Sequence, residues 1–126
     1  MDNIIGLQVY VYFNLHKKVF SIKALQGSQR GRVIGYSSHV LLADAVPKVS
    51  EAGRQRVIRE GRKKVHAGMV GTVIALGELD ATGEPVTYNP YKYSSFVHLY
   101  TAEPVTERGT YYLHNKRITK VEEYQL

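Results

Sequence analysis

From Leu7 to Phe13 the chain alternates without a break: Leu7, Val9, Val11 and Phe13 fall on one side, Gln8, Tyr10 and Tyr12 on the other. A period of two marks a half-buried β-strand, because successive side chains of extended backbone point to opposite faces. Asn14 to Lys18 is a polar turn, and Val19 to Leu25 reads as the returning strand, with Phe20 and Ile22 toward the core. The sequence therefore predicts an N-terminal β-hairpin over residues 7–25.

The rest of the chain is punctuated by glycine and proline. Gln26-Gly27-Ser28-Gln29-Arg30-Gly31-Arg32 is a loop. Gly31 to Leu42 supplies one bent strand or two short ones, interrupted near Tyr36-Ser37-Ser38, and Pro47 is expected to stop extended pairing. Gly68 to Leu76, β-branched and bounded by glycines, reads as a core strand. Glu78 to Lys92, with Gly83, Pro85 and Pro90, reads as a long loop. Three short strands, Ser95 to Thr101, Thr110 to His114 and Arg117 to Glu122, close the C-terminal part, 68–122.

A single helix is predicted over residues 51–64. Ser50 suits the N-cap and Glu51 the positive helix end. At 100° per residue Val57, Ile58, Gly61 and Val65 share one arc, while Arg56, Arg59 and Lys63 lie opposite. Arg54 falls inside the apolar arc, so it must snorkel or meet an acidic partner. Gly53 and Gly61 each weaken a helix by about 1 kcal/mol relative to alanine. The expected fold class is α+β, a single domain over 1–126. One amphipathic helix packs on a mostly antiparallel sheet of about six or seven strands, open or barrel-like.

Charge is concentrated where the helix is predicted. Of a net charge of +6, the segment Ser50 to Lys64 carries +4, with Arg54, Arg56, Arg59, Arg62, Lys63 and Lys64 against Glu51 and Glu60. A localised basic stripe points to a polyanion more strongly than diffuse basicity does. Arg56, Arg59, Arg62 and Lys63 are thus candidate nucleic-acid contacts, and Arg30 and Arg32 in the glycine loop are a second set. A solvated helix face, balanced by Glu60 pairing with Arg56 and Lys64, would account for the same charges. Tyr88, Tyr91 and Tyr93 around Asn89-Pro90 are candidate stacking or interface residues, or rings plugging the end of a small barrel.

Several classes are disfavoured. With no Cys there are no disulfides, thiolate nucleophiles or Cys-based metal sites. His16, His39, His66, His98 and His114 show no metal-ligand spacing, no catalytic acid pair or nucleophile elbow stands out, and no cofactor motif occurs. The apolar runs are strand-length and the N-terminus, Met1 to Ile5, lacks a signal pattern, so neither membrane nor secretion is expected. The Tyr10/Tyr12 strand face needs a cover, such as the helix, a ligand or a second copy in a homodimer.

Lys48-Val49-Ser50-Glu51-Ala52-Gly53-Arg54-Gln55-Arg56-Val57-Ile58-Arg59-Glu60, continuing into Lys64-Val65-His66-Ala67-Gly68 and Gly71-Thr72-Val73, resembles a segment of small uncharacterised proteins encoded by tailed bacteriophages. Tyr10 to Ser21, Tyr88 to Lys92 and Ser95-Phe96-Val97 carry the same resemblance. It implies a phage accessory protein in the cytoplasm of the infected host and transfers no functional residues. The expected function is non-enzymatic binding of nucleic acid or another polyanion during host takeover. The alternative is an anti-defence inhibitor, such as an anti-CRISPR, that binds a host protein or sequesters a nucleotide signal.

Overall fold

A computed structural model describes residues 4–126; the expectation for Met1 to Asn3 lies outside them. The predicted hairpin forms from β1 (Gln8–Asn14) and β2 (Val19–Ala24), in register from Val9 opposite Ala24 to Asn14 opposite Val19. Asn14 builds the turn: its Oδ1 accepts from the amides of His16 (3.0 Å) and Lys17 (2.9 Å), and its carbonyl accepts from Lys18 N (2.8 Å). Val9, Val11, Phe20 and Ile22 are buried, as the alternation requires.

Two strands follow. β3 (Val33–Ser37) pairs with β2, and the chain breaks at Ser38 before β4 (His39–Val49). Pro47 does not stop pairing: it sits inside β4 opposite Met69 of β5 (Ala67–Leu76). The ladder from β4 to β8 (Gly109–His114) ends at Ala45, so beyond that point β4 is an edge and the missing proline N–H costs nothing.

Between β4 and β5 lies α1 (Glu51–Glu60), shorter than predicted. Ser50 caps it as expected, its Oγ accepting from Gly53 N (3.2 Å). Gly61 adopts φ 68° and ends the helix, its N–H bonding Val57 O (2.9 Å), so Arg62, Lys63 and Lys64 lie beyond it in irregular chain. Only Val57 of the helix is buried, while Ile58 (38% exposed) and Val65 (46%) face outward. Burial of one valine contributes about 2 kcal/mol, so the helix depends equally on its cap and polar anchors.

The region read as a loop contains β6 (Asp80–Thr87), paired with β9 (Arg117–Gln125). Of the predicted strand Ser95 to Thr101, only β7 (Val97–His98) is extended. β8 and β9 meet at a two-residue turn with Asn115 and Lys116 at φ 47° and 68°.

The fold class is accordingly corrected. Instead of an α+β domain with six or seven strands, the described residues are mostly β: nine strands in one antiparallel sheet, ordered β3-β2-β1-β5-β4-β8-β9-β6-β7, with a ten-residue helix. Nor is it a barrel, since β3 and β7 are not paired and the sheet stays open. It curls strongly all the same. Phe13 and Phe20 from one half and Val86, Phe96 and Ile118 from the other line a common interior, and Lys116 Nζ lies 5.6 Å from the Phe13 ring centroid. On the outer face Tyr10 is covered within its own chain, lying across Gly68, where a Cβ would come within 2.9 Å of the ring. Burial pushes its hydroxyl up to about 12.

Candidate nucleic-acid interface

The site is assembled around the anomalous arginine. Arg54, only 15% exposed, donates from Nε to the carbonyls of Pro90 and Tyr93 (both 2.9 Å) and from Nη1 to Glu51 Oε1 (2.9 Å). It therefore finds an acidic partner and also pins the 89–93 loop to the helix. Gln55, then Arg54, hydrogen-bonds the Glu51 carboxylate and holds its pKa below the usual range. The loop is braced from within, since Asn89 Oδ1 accepts from Tyr91 N (2.9 Å) and the Asn89 carbonyl from Lys92 N (3.1 Å) and Tyr93 N (2.8 Å).

His66 joins the helix to this loop. Its carbonyl accepts from Ser50 N (2.7 Å), and Gly53 sits so close that a Cβ there would meet the His66 Cβ at 2.6 Å. Nδ1 lies 2.7 Å from Lys64 O, which can only accept, so Nδ1 carries the proton. In the neutral ring Nε2 then accepts from the Tyr88 hydroxyl at 2.7 Å. Burial raises the Tyr88 pKa, opposed by the Arg54 charge. The Tyr88 ring stacks on Phe96, with centroids 5.0 Å apart and planes 23° apart.

Helix, His66 segment and loop enclose an open groove of about 500 Å³, lined by Phe13, Leu15, Val57, Lys63, Lys64, Val65, His66, Ala67 and Thr87 to Tyr91. The structure thus brings Lys63 together with Tyr88 and Tyr91. Tyr91 is 59% exposed, Tyr93 is half-buried, and Tyr88 is engaged by His66 and Phe96. Arg56 and Lys64 share Glu60, at 3.9 and 3.8 Å. Arg59, Arg62 and Lys63 are exposed, and among the described residues none has a carboxylate within ion-pair distance.

Arg30 and Arg32 stand apart. Their loop is tied to Ala24 by the bonds Ala24 N to Arg32 O (2.9 Å) and Gly31 N to Ala24 O (2.8 Å), beside Val9. On the same ladder Gln8 opposes Thr72 of β5, whereas the helix joins at Val49 opposite Ala67. Five residues of strand, roughly 16 Å, separate the two basic segments at opposite ends of these strands.

Sequence reasoning missed Leu15, Val65 and His66 as groove-lining residues and Arg54 as the anchor. Leu15 carried a signal, an apolar side chain in an otherwise polar turn.

Elsewhere His39 and His114 face each other across β4 and β8, with His114 stacked on Tyr112 (4.6 Å). Burial, and after it the neighbouring His39, lowers the His114 pKa. Asp80, Glu122 and Glu123 line a shallow depression along β6 and β9. Among the described residues no three His, Asp or Glu side chains group closely enough to hold a metal, and no helix is long and apolar enough to cross a membrane.

Fold and groove together define a small, mostly-β protein with a basic, aromatic-walled surface groove on an open curled sheet. A family model described as "Mycobacterium phage L5 gene 82 protein" matches residues 3–121, and the chain belongs to that phage-encoded family. A relative, the "Gene 82 protein" of Mycobacterium phage L5, is 46% identical over 113 residues, 85% of this chain and 90% of that protein. The resemblance to phage proteins read from the sequence is thereby shown. No solved structure matches the chain.

Proposed function

We propose that this phage protein is a non-enzymatic accessory factor that binds nucleic acid, or more broadly a polyanion, in the cytoplasm of the infected host. The observation that carries this reading is the basic run Arg59, Arg62 and Lys63, exposed and unpartnered by carboxylates among the described residues, which reaches the wall of the groove. Such cations are free to exchange counterions for phosphates, which gives affinity that falls steeply with salt. Arg56 adds to the run on the same helix, tempered by Glu60. Arg30 and Arg32, at the far end of the strands, form a separate basic patch that a long strand would have to span.

The test is a salt titration. Replacing Arg59, Arg62 and Lys63 by glutamine is expected to flatten the slope of log affinity against log salt, by roughly 0.9 per lost contact on duplex DNA or about 0.7 on a single strand. An unchanged slope would remove these residues from the interface.

The groove itself favours a second reading. Leu15, Val65 and Tyr91 are exposed apolar side chains on its walls, the kind of surface that receives an apolar anchor from a host protein, as an anti-defence inhibitor would. A host-lysate pull-down separates the readings: a partner retained after nuclease treatment supports the inhibitor, and one lost with nuclease supports nucleic-acid binding.

A further inference from the structure

We infer that the groove takes an unstacked base of a single-stranded nucleic acid, stacked on Tyr91, while the adjoining phosphates lie over Lys63 and the neighbouring arginines. This rests on the nucleic-acid reading above and narrows it to one class of ligand.

Two kinds of surface meet here that a duplex cannot satisfy together. The rim carries the free ammonium of Lys63, and the walls carry the exposed apolar faces of Leu15, Val65 and Tyr91. A duplex offers phosphates outward with its bases paired and stacked inside, so it would neutralise the cations and leave the apolar walls against water or phosphate. A single strand offers charge and an exposed aromatic face within one nucleotide, and stacking on an aromatic side chain is its sequence-tolerant mode of capture. The volume, about 500 Å³, accommodates a base with its sugar and leaves the groove open for the strand to enter and leave.

The platform is also held ready. Tyr91 is exposed, yet its loop is fixed by the Asn89 turn and by Arg54 on the carbonyls of Pro90 and Tyr93. An aromatic ring displayed on a braced loop loses little conformational freedom when it binds. The polar atoms facing the groove are few. Tyr88 Oη donates its proton to His66 and keeps a lone pair that can accept from an exocyclic amine. Recognition by stacking and charge, with little reading of base edges, follows.

Fluorescence anisotropy with a labelled oligothymidylate of about 15 nucleotides, and with the same strand in a duplex, tests this. The single strand is expected to bind at least about ten-fold more tightly. Tyr91→Ala should weaken it by roughly 5- to 100-fold with the salt slope unchanged, and Tyr91→Phe should restore it. Thermal melts of both variants should match the parent, since the ring is exposed. Equal binding of duplex and single strand, or a single-strand preference that survives Tyr91→Ala, overturns the inference while leaving nucleic-acid binding in place. No binding of either form overturns the nucleic-acid reading itself.

Discussion

Replacing Arg54 by alanine is expected to lower the unfolding free energy by about 3 kcal/mol and the melting temperature by roughly 10 °C. The effect is large because the side chain is nearly buried and its Nε serves two backbone carbonyls, those of Pro90 and Tyr93. Its removal leaves both carbonyls without their donor in a part-buried setting, and such unmade bonds cost more than made bonds contribute. The exposed ion pair with Glu51 adds little by comparison. Arg54→Lys should recover only part of the loss, because an ammonium on a flexible stem cannot reproduce the planar fork that reaches two carbonyls and a carboxylate. The same substitutions release the loop that carries Tyr91, so single-strand affinity should fall even at temperatures where the variant is folded. Calorimetric melts paired with the anisotropy titration read both effects. Unchanged stability would mean that the helix and loop are held together by other contacts.

The second large effect is expected at Gly83. β6 approaches β9 so closely there that an added Cβ would collide with the Lys120 carbonyl oxygen and lie about 3 Å from two further backbone atoms. No rotamer change relieves a clash with backbone, so one strand must move. The position coincides with a register shift between Thr82 and Gly83, a bulge that fits β6 to its neighbour. Gly83→Ala should therefore destabilise by about 3 kcal/mol, measured from the midpoint of urea unfolding, whereas Gly109→Ala should stay within about 0.5 kcal/mol. At Gly109 the nearest heavy atom to an added Cβ is on the Tyr111 ring, 4.0 Å away, an ordinary van der Waals distance. Equal midpoints for Gly83→Ala and the parent would show that the β6–β9 ladder is looser than its register implies.

Gly83 also explains why so much of the sheet escaped the sequence. The hairpin of residues 7–25 was legible because one face of β1 sends apolar side chains into the core while the other carries polar or hydroxyl-bearing ones, which writes a period of two into the residues. β6, in contrast, buries only Val86 and carries Gly83 and Pro85, so its composition is that of a loop although its backbone pairs with β9 from Asp80 to Val86. Pro47 misled for the same reason. A proline is incompatible with pairing on its N–H side only, and which side is free depends on where the β4–β8 ladder ends, information held thirty residues and more away in sequence. Undercounting the strands in this way made the helix look like a principal element of an α+β domain, when it buries a single valine.

At the candidate site the reverse holds. The concentration of charge between Ser50 and Lys64 was plain in the sequence, and so was the misfit of Arg54 in its apolar arc. Helical periodicity then carried Lys63 one turn too far, because Gly61 was read as a weak helix residue when its positive φ makes it the cap. That the Tyr88–Tyr91 loop would lie beside Lys63, while Arg30 and Arg32 would lie at the other end of the strands, follows only from strand order and register.

The most direct measurement is amide chemical-shift mapping of the labelled protein on titration with an unstructured oligothymidylate. Binding through the basic run and groove predicts shifts clustered at residues 56–66 and 87–93, with a saturation midpoint that moves to higher strand concentration in Tyr91→Ala. Shifts confined to the Gly27–Arg32 loop and β3, or no shifts at any concentration of the strand, would contradict it.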